Sequence, residues 1–542
     1  MSPISKHSSI GSISLVLAAC LAALAPAGTV SAAEPAGVTL TVQQFELSGN
    51  QAIASDVLQP LLKVWTNRQV AQADLARAAQ SVTDAYASRG LLARAYLPKQ
   101  DVTGGVVRIR VQESVFGQIK LIGTVPSAIT EQQAKAVVMV GQRQGQIVRL
   151  DDLDRALGIL AEWPGVRATG DLVKGSLEGQ TDLALSLTPA PAASFVIRAD
   201  NEGARSTGQA RLSVNGVWYS PLGLGETFSF NTVLSEGSKN LRLAAEAPVA
   251  ATGLRAGVYA SAMDYLLVSP EFNSLSVKGP SSTVGLSLRW PLARAAVRTT
   301  DLSAQLERRS FNNEALGTTL SDYKINAFTA NWADQMTDWF KFNARINLDI
   351  NYTLGNVDLN GSPNQAADAL TTRTEGTYHL LRAGVQRLQT LDKGRSWLFK
   401  VNGQVASRNL DSSERLPIAG AQGVRAYPIG EISASEGWVV QSELRQNLGV
   451  IGQPDFTVAL FGDIGFGSQL TDPNFAGAPL NNSLTIKGAG LWFEWRPAAK
   501  PVSVRLSWAQ RLGDHPNPTA LGTNQDGSSG AHRFWLTAQV AL

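Results

Sequence analysis

From Phe195 to the final Leu542 the chain alternates apolar and polar residues with a period of two and no helical interruption. That pattern limits the fold more than any other feature, because successive side chains of a strand point to opposite faces. The clearest window runs from 340 to 353. There Phe340, Phe342, Ala344, Ile346, Leu348, Ile350 and Tyr352 alternate with Lys341, Asn343, Arg345, Asn347, Asp349, Asn351 and Thr353. A strand with lipid on one side and water on the other has this composition. The alternation returns at Val284, Leu286, Leu288 and Trp290, at Trp397, Phe399, Val401, Gly403 and Val405, and at Val502, Val504, Leu506 and Trp508.

A soluble β-sandwich also alternates. A sandwich of this length would normally be split into domains, however, and here the second face is strongly polar and often charged. Short turns separated by long polar loops, such as 355–377, fit a barrel with tight turns at one rim and longer loops at the other. Phe534, Leu536, Ala538, Val540 and Leu542 carry the alternation to the last residue, as required if the terminal strand closes a barrel against the first. Past the leader no run of 18 apolar residues occurs, so no helix crosses a bilayer, and a closed barrel of strands is the remaining way to span one.

The amino terminus reads as a signal peptide over residues 1–33: Lys6 and His7, an apolar run over 10–24, and the small-residue exit Ser31, Ala32, Ala33. Leu17, Ala18, Ala19, Cys20 also matches a lipoprotein processing site, which leaves lipidation of Cys20 as the competing reading. Cleavage after Ala33 discards the only cysteine and with it disulfides and thiol chemistry. It also removes Lys6, leaving 46 basic against 44 acidic residues, a net charge of +2 that gives no electrostatic case for nucleic acid.

Between leader and barrel lie two α/β units, 38–114 and 115–188, each a strand, helices and then a pair of strands. In the first, Val42, Phe45 and Leu47 form a strand, Ser48, Gly49 and Asn50 a turn, and Ser55 and Asp56 open a helix. A second helix presents Leu75, Ala79, Val82 and Tyr86 on one face and ends at Gly90. Strands near 93–97 and 106–111 follow. The second unit has a strand over 116–122, a helix from about Thr130, a helix with Leu153, Leu157 and Leu160 on one side stopped by Pro164 and Gly165, and a strand over 183–187. Two units of one plan suggest an internal repeat. The segment 188–194, with Pro189 and Pro191, reads as a hinge, and the barrel occupies 195–542.

These features resemble the hemolysin activation and secretion family, the transporter half of two-partner secretion, within the Omp85 superfamily. The α/β units look like POTRA domains, and the stretch 91–113, with Tyr96, Leu97, Pro98, Gln100 and Gly104, is similar to the end of the family's first one. Asn201, Glu202 and Gly203, with Thr207 and Gly208, look like the family's entry into the barrel. The most specific match is Gly423, Val424, Arg425, Ala426, Tyr427 and Pro428, which resembles a motif at the tip of a long loop folded back into the lumen. A second motif, Phe461, Gly462, Asp463, Ile464 and Gly465, resembles its counterpart on the inner wall. The resemblance implies a sixteen-stranded outer-membrane barrel with its POTRA domains in the periplasm. It implies a secreted exoprotein partner (an adhesin, hemolysin or toxin), lipid around the barrel, and engagement of the C-terminal strand by the barrel assembly machinery. It also implies that Arg425 meets Asp463.

The chemistry of that pair can be argued independently. A loop in a wide polar lumen has little apolar surface to bury and needs directed contacts to hold one position. A guanidinium offers planar, permanently charged donors that fit a carboxylate in bidentate fashion. Two departures from the family pattern stand out. Ala426 occupies a glycine position, although alanine disfavours left-handed backbone. Only about eight residues separate Ala33 from the first strand, so no plug helix is expected there and the Arg425 loop is expected to gate the pore alone.

Rival functions are an Omp85-type assembly factor, a passive porin and an enzyme. The arm argues against a porin. Against an enzyme, His379, His515 and His532 lack ligand spacing, Asp151 and Asp152 suit a helix start, and no nucleophile or phosphate-binding motif is present. No cofactor is called for.

Overall fold

The computed structural model describes residues 40–337 and 343–542. The signal peptide with Cys20, the expected absence of a plug helix, and Phe340, Lys341 and Phe342 of the clearest alternating window fall outside the described residues. The chain divides after Ala190 into two compact units.

In the first unit, β1 (Leu40–Val42) pairs with β3 (Arg68–Val70). A three-stranded sheet sets β2 (Gln44–Ser48) parallel to β5 (Val106–Glu113), with β4 (Ala93–Tyr96) antiparallel on the other side. Helices α1 (Ser55–Leu62) and α2 (Gln72–Ala87) pack on it, burying Leu58, Val82 and Tyr86 against Phe45, Val107 and Ile109. Ala79, Val82 and Tyr86 are buried and Leu75 is partly buried, as the spacing predicts. The plan then repeats: β6 (Val115–Ile122), α3 (Glu131–Met139), α4 (Leu150–Ala161), β7 (Val166–Lys174) and β8 (Gln180–Pro189), with β8 between β6 and β7. Thr130 starts α3 through a reciprocal box: its hydroxyl accepts the Gln133 N–H at 3.2 Å while Gln133 Oε1 accepts the Thr130 N–H at 2.8 Å. Leu153 and Leu160 are fully buried.

The second unit is a closed antiparallel barrel of sixteen strands. They are β9 (Ala193–Asp200), β10 (Arg211–Tyr219), β11 (Thr227–Leu234), β12 (Ser238–Pro248), β13 (Arg255–Leu266), β14 (Lys278–Ala295), β15 (Arg298–Ala315), β16 (Thr318–Thr337), β17 (Ala344–Asp358), β18 (Gly376–Thr390), β19 (Arg395–Ala406), β22 (Glu436–Asn447), β23 (Phe456–Ser468), β24 (Ser483–Trp495), β25 (Val502–Arg511) and β26 (His532–Ala541). Between β19 and β22 a loop carries the two-residue strands β20 (Leu416–Pro417) and β21 (Ser433–Ala434). β26 pairs with β9 from Thr537 with Asp200 to Ala541 with Val196, so the last strand closes on the first and no edge is left to meet hydrocarbon.

The alternating residues separate by face. Leu243, Val258, Val284, Leu286, Leu306, Phe328, Leu491 and Leu506 are exposed on the outside. On the inside, Arg242 lies 4.0 Å from the Tyr259 ring, and the Tyr259 hydroxyl donates to Glu307 at 2.9 Å. An apolar belt of this extent is untenable in water and natural in lipid.

Three readings of the sequence are corrected. The 188–194 hinge shrinks to 190–192, because β8 runs through Pro189 and β9 opens at Ala193. The 355–377 loop shrinks to 359–375 and includes a short helix, Gln365–Leu370. Backbone pairing continues there to Val357 with Gly376, although the outward Asn356 and Asp358 lie past the apolar belt and end the alternation. The segment 201–208 follows β9 and joins it to β10 at the far rim, so it is the first hairpin loop and not the barrel entry. Asn201 there acts as an extra strand residue: its side chain accepts the Leu536 N–H at 2.8 Å and donates to the Phe534 carbonyl at 3.0 Å, prolonging the β9/β26 seam.

Candidate functional site

The loop 407–435 springs from the rim opposite the one where the chain enters the barrel, and it folds inward. Pairing of β20 with β21 makes it a hairpin, and tight turns shape its tip, with Gly423 N–H to the Gly420 carbonyl at 3.0 Å and Val424 N–H to the Ile418 carbonyl at 2.8 Å. Ile418, Val424, Ala426, Tyr427 and Ala434 are buried against Val439, Phe461, Leu484, Ile486 and Trp492, which line the inner wall on β22 to β24. The loop thus has a small apolar seat within the lumen.

Directed contacts fix the tip on that seat. Arg425 binds Asp463 in bidentate fashion, Nε to Oδ2 at 2.8 Å and Nη2 to Oδ1 at 2.7 Å, and its backbone N–H reaches Oδ2 at 3.1 Å. Its third donor, Nη1, goes to Glu443 Oε1 at 2.6 Å. All three side chains are buried. The guanidinium stands 3.5 Å from the Phe461 ring centroid, which gives the aromatic of the wall motif its role. Glu443 is shared with Arg445 at 2.8 Å and with the Trp492 indole N–H at 3.2 Å, so two cations face two carboxylates. Breaking a buried pair of this kind costs about 3 to 5 kcal/mol because the surviving charge is left without a partner.

The other motif residues divide into those that shape the seat and those that do not touch it. The Gly423 carbonyl accepts from Gln441 Nε2 at 2.9 Å. Tyr427 is buried, with Arg511 5.1 Å from its ring centroid and His515 edge-on at 5.9 Å. Pro428 is buried, and its carbonyl accepts the Glu431 N–H at 3.4 Å. Gly465 is required by close approach, since a Cβ there would lie 2.5 Å from Ile418 Cγ2. Around Gly462 a Cβ would meet nothing within 4 Å, so that position leaves the loop untouched.

Ala426 settles the question raised by its departure from glycine. It is absent from the positive-φ residues, so its backbone needs no glycine. Its methyl group fits against Gly488 of β24, where a Cβ would come within 2.6 Å of the Ala426 Cβ.

Sequence reading found Arg425 and Asp463 but missed Glu443, Gln441, Trp492 and Trp535, whose indole N–H donates to the Arg425 carbonyl at 2.8 Å from the closing strand. It also missed the outer loop 512–531, which reaches the same hairpin. There Gln525 N–H donates to Glu431 Oε2 at 2.9 Å, and His515 Nε2 lies 2.7 Å from Glu431 Oε1. His515 Nδ1 accepts the Asn517 N–H at 3.1 Å, which places the ring proton on Nε2. Burial pushes the Glu431 carboxyl up to about 7. Among the described residues no group of His, Cys, Asp and Glu could hold a metal ion.

A closed barrel with a pinned inward loop, preceded along the chain by a pair of α/β units, has the architecture of an outer-membrane transporter. The family model for the haemolysin secretion/activation protein ShlB/FhaC/HecB matches residues 179–481, more than half of the chain, and that for the ShlB-type POTRA domain matches 40–114. The chain therefore belongs to the haemolysin secretion/activation family, the outer-membrane transporters of two-partner secretion, and its POTRA region lies in the periplasm. It is similar to the heme/hemopexin transporter protein HuxB of Haemophilus influenzae (strain 86-028NP), 25% identical over 510 residues, covering 92% of this chain and 86% of HuxB. It is also similar to the outer membrane transporter CdiB of Escherichia coli, 25% identical over 433 residues, covering 76% and 70%. Among solved structures, CdiB from Escherichia coli superposes with a TM-score of 0.71 at 20% identity, covering 96% of this chain and 93% of that one. CdiB from Acinetobacter baumannii gives 0.65 at 17%, covering 98% and 97%. The far rim thus faces the cell exterior, and membership of the family implies a cognate secreted exoprotein.

Proposed function

We propose that this transporter takes up its exoprotein unfolded in the periplasm, as a strand added along β2, and passes it outward through the barrel. The supporting observation is the edge of β2 that no other described strand covers. It is the outermost strand of the order β2-β5-β4, and beside it a groove is lined by Phe45, Leu47, Ser55, Gln59 and Arg108. Strand addition uses such an edge for main-chain hydrogen bonds and the adjoining groove for side-chain choice. Gln59 Nε2 already donates to the Phe45 carbonyl at 2.9 Å, so one acceptor is held by the protein itself. The matching edge strand of the second unit, β6, is partly covered: Phe116 exchanges hydrogen bonds with Gln146 and Gly145 at 2.8 and 2.9 Å.

Transport runs without nucleotide, since the chain carries no P-loop, and folding of the cargo outside biases its movement. Lipid surrounds the apolar belt, and β26, ending at Ala541, is the strand by which the barrel assembly machinery engages the chain. Deleting residues 42–113 tests the capture step. Export of the partner into the culture supernatant is expected to stop while the barrel keeps its heat-modifiable gel mobility and other outer-membrane proteins keep their levels. Undiminished export overturns the receptor role, and a general loss of outer-membrane proteins favours an assembly factor.

A further inference from the structure

The inward hairpin is held at a second place that the Arg425 motif does not include. Before it reaches the tip, the loop passes Leu410, Asp411 and Glu414. The Glu414 carboxylate is almost fully buried, 1% exposed. Its Oε1 accepts from Arg309 Nη1 at 2.5 Å and from the Tyr378 hydroxyl at 2.9 Å, and its Oε2 accepts from Arg382 Nη2 at 3.0 Å. Its backbone carbonyl accepts from Arg382 Nη2 at 2.7 Å and from Gln404 Nε2 at 3.1 Å. Nearby, the Tyr323 hydroxyl donates to Asp411 Oδ2 at 3.0 Å. Leu410 is buried with Tyr323, Ile325, Val357, Tyr378 and Leu380, an apolar cluster separate from the one beneath the tip.

The two attachments differ in position and in sign. Arg309, Tyr323, Tyr378 and Arg382 lie on β15, β16 and β18, whereas the tip meets β22, β23, β24 and, through Trp535, β26. The hairpin therefore reaches across an arc from β15 to β26, on both sides of its own stems. At the tip the loop supplies a cation and the wall two carboxylates. At the root the loop supplies a carboxylate and the wall two cations. Displacing the hairpin requires both attachments to yield.

We infer that Glu414 is a positioning residue of the pore, forming with Arg309, Arg382 and Tyr378 a second lock that holds the hairpin across the lumen independently of the Arg425 lock. The inference rests on the transporter class and this geometry, not on strand capture at β2.

The test is channel recording of the purified full-length protein in planar lipid bilayers. Glu414→Gln keeps the shape and removes the charge, and it is expected to raise the fraction of time spent in open states by roughly tenfold or more, because buried pairs are costly to break. Glu414→Asp, which restores the charge on a shorter stem, is expected to fall between Gln and the native protein. A merely structural role would not order the variants by charge. Combined with Arg425→Gln, the Glu414→Gln effect is expected to persist in full. Heat-modifiable mobility reports whether each variant forms a barrel. If Glu414→Gln does not assemble, Tyr378→Phe replaces it, since the ring stays and only the hydroxyl is lost; it is expected to raise the open fraction several-fold. Native gating in an assembled Glu414→Gln, or in Tyr378→Phe where that variant is used, overturns the second lock. So does disappearance of the effect in the Arg425→Gln background, which would make the two attachments one.

Discussion

The periplasmic arm and the barrel place the same residue types in opposite positions. In the arm, Leu58, Val82, Leu153 and Leu160 are fully buried and the charged side chains are mostly outside. In the barrel, Leu286 is 57% exposed and Leu506 48%, while Arg425, Asp463, Glu443 and Glu414 are buried. The arm is held by removal of apolar surface from water, about 25 cal/mol for each Å². The barrel gains little from that source on its outer face, because lipid is as apolar as leucine, and it holds its interior with directed polar contacts instead. The medium around each unit decides which residues are inside, and it also decides what a substitution does.

The largest expected effect is on the polar interior. Arg425→Ala removes one cation from Asp463 and Glu443 and is expected to destabilise the loop's seat by about 3 to 5 kcal/mol. Export is expected to fall far more than barrel assembly, with culture supernatant reporting the first and heat-modifiable mobility the second. Normal secretion by this variant would mean that the polar interior does not hold the loop as described.

A pair of leucines sharpens the contrast between the two media. Leu58→Ala, in the core of the arm, is expected to cost about 2 to 5 kcal/mol, read as greater protease sensitivity of the arm in the full-length protein. Leu286→Ala, on the lipid face, is expected to change barrel stability by less than about 1 kcal/mol, whereas Leu286→Arg costs about 2 to 4 kcal/mol if the residue lies at mid-bilayer. Urea unfolding in lipid vesicles measures both. Equal penalties for the two alanine variants would remove the comparison.

Another effect concerns shape. Gly488→Ala places a methyl 2.6 Å from the Ala426 Cβ, an overpacking expected to cost about 1 to 3 kcal/mol and to raise channel opening. Adding Ala426→Gly is expected to restore the native closed state. Failure of that rescue would show that the two positions do not share one space.

Much of this was legible before any coordinates. The period of two in β14, β19, β25 and β26 marked inward and outward faces correctly, because side-chain alternation is a local property of extended backbone. The helices of the arm announced themselves by spacing, as at Leu75, Ala79, Val82 and Tyr86. Strand ends were misread where polarity and pairing part company, as at Asn356 and Asp358, which are polar on the outward face but still pair with Asn326 and Lys324 of β16. The 201–208 segment was misplaced because a loop motif gives no sign of which strand precedes it.

The sequence by itself determined that this chain alternates its faces, spans a membrane as strands and carries an arginine and an aspartate suited to each other. Only the tertiary structure decided that Arg425 would be shared with Glu443, that Trp535 would reach its carbonyl from the closing strand, and that Glu414 would find Arg309 and Arg382. Those partners lie from 18 to 110 residues apart in sequence. Their meeting depends on barrel closure and on the inward path of one loop, and neither leaves a periodic trace in the residues that take part.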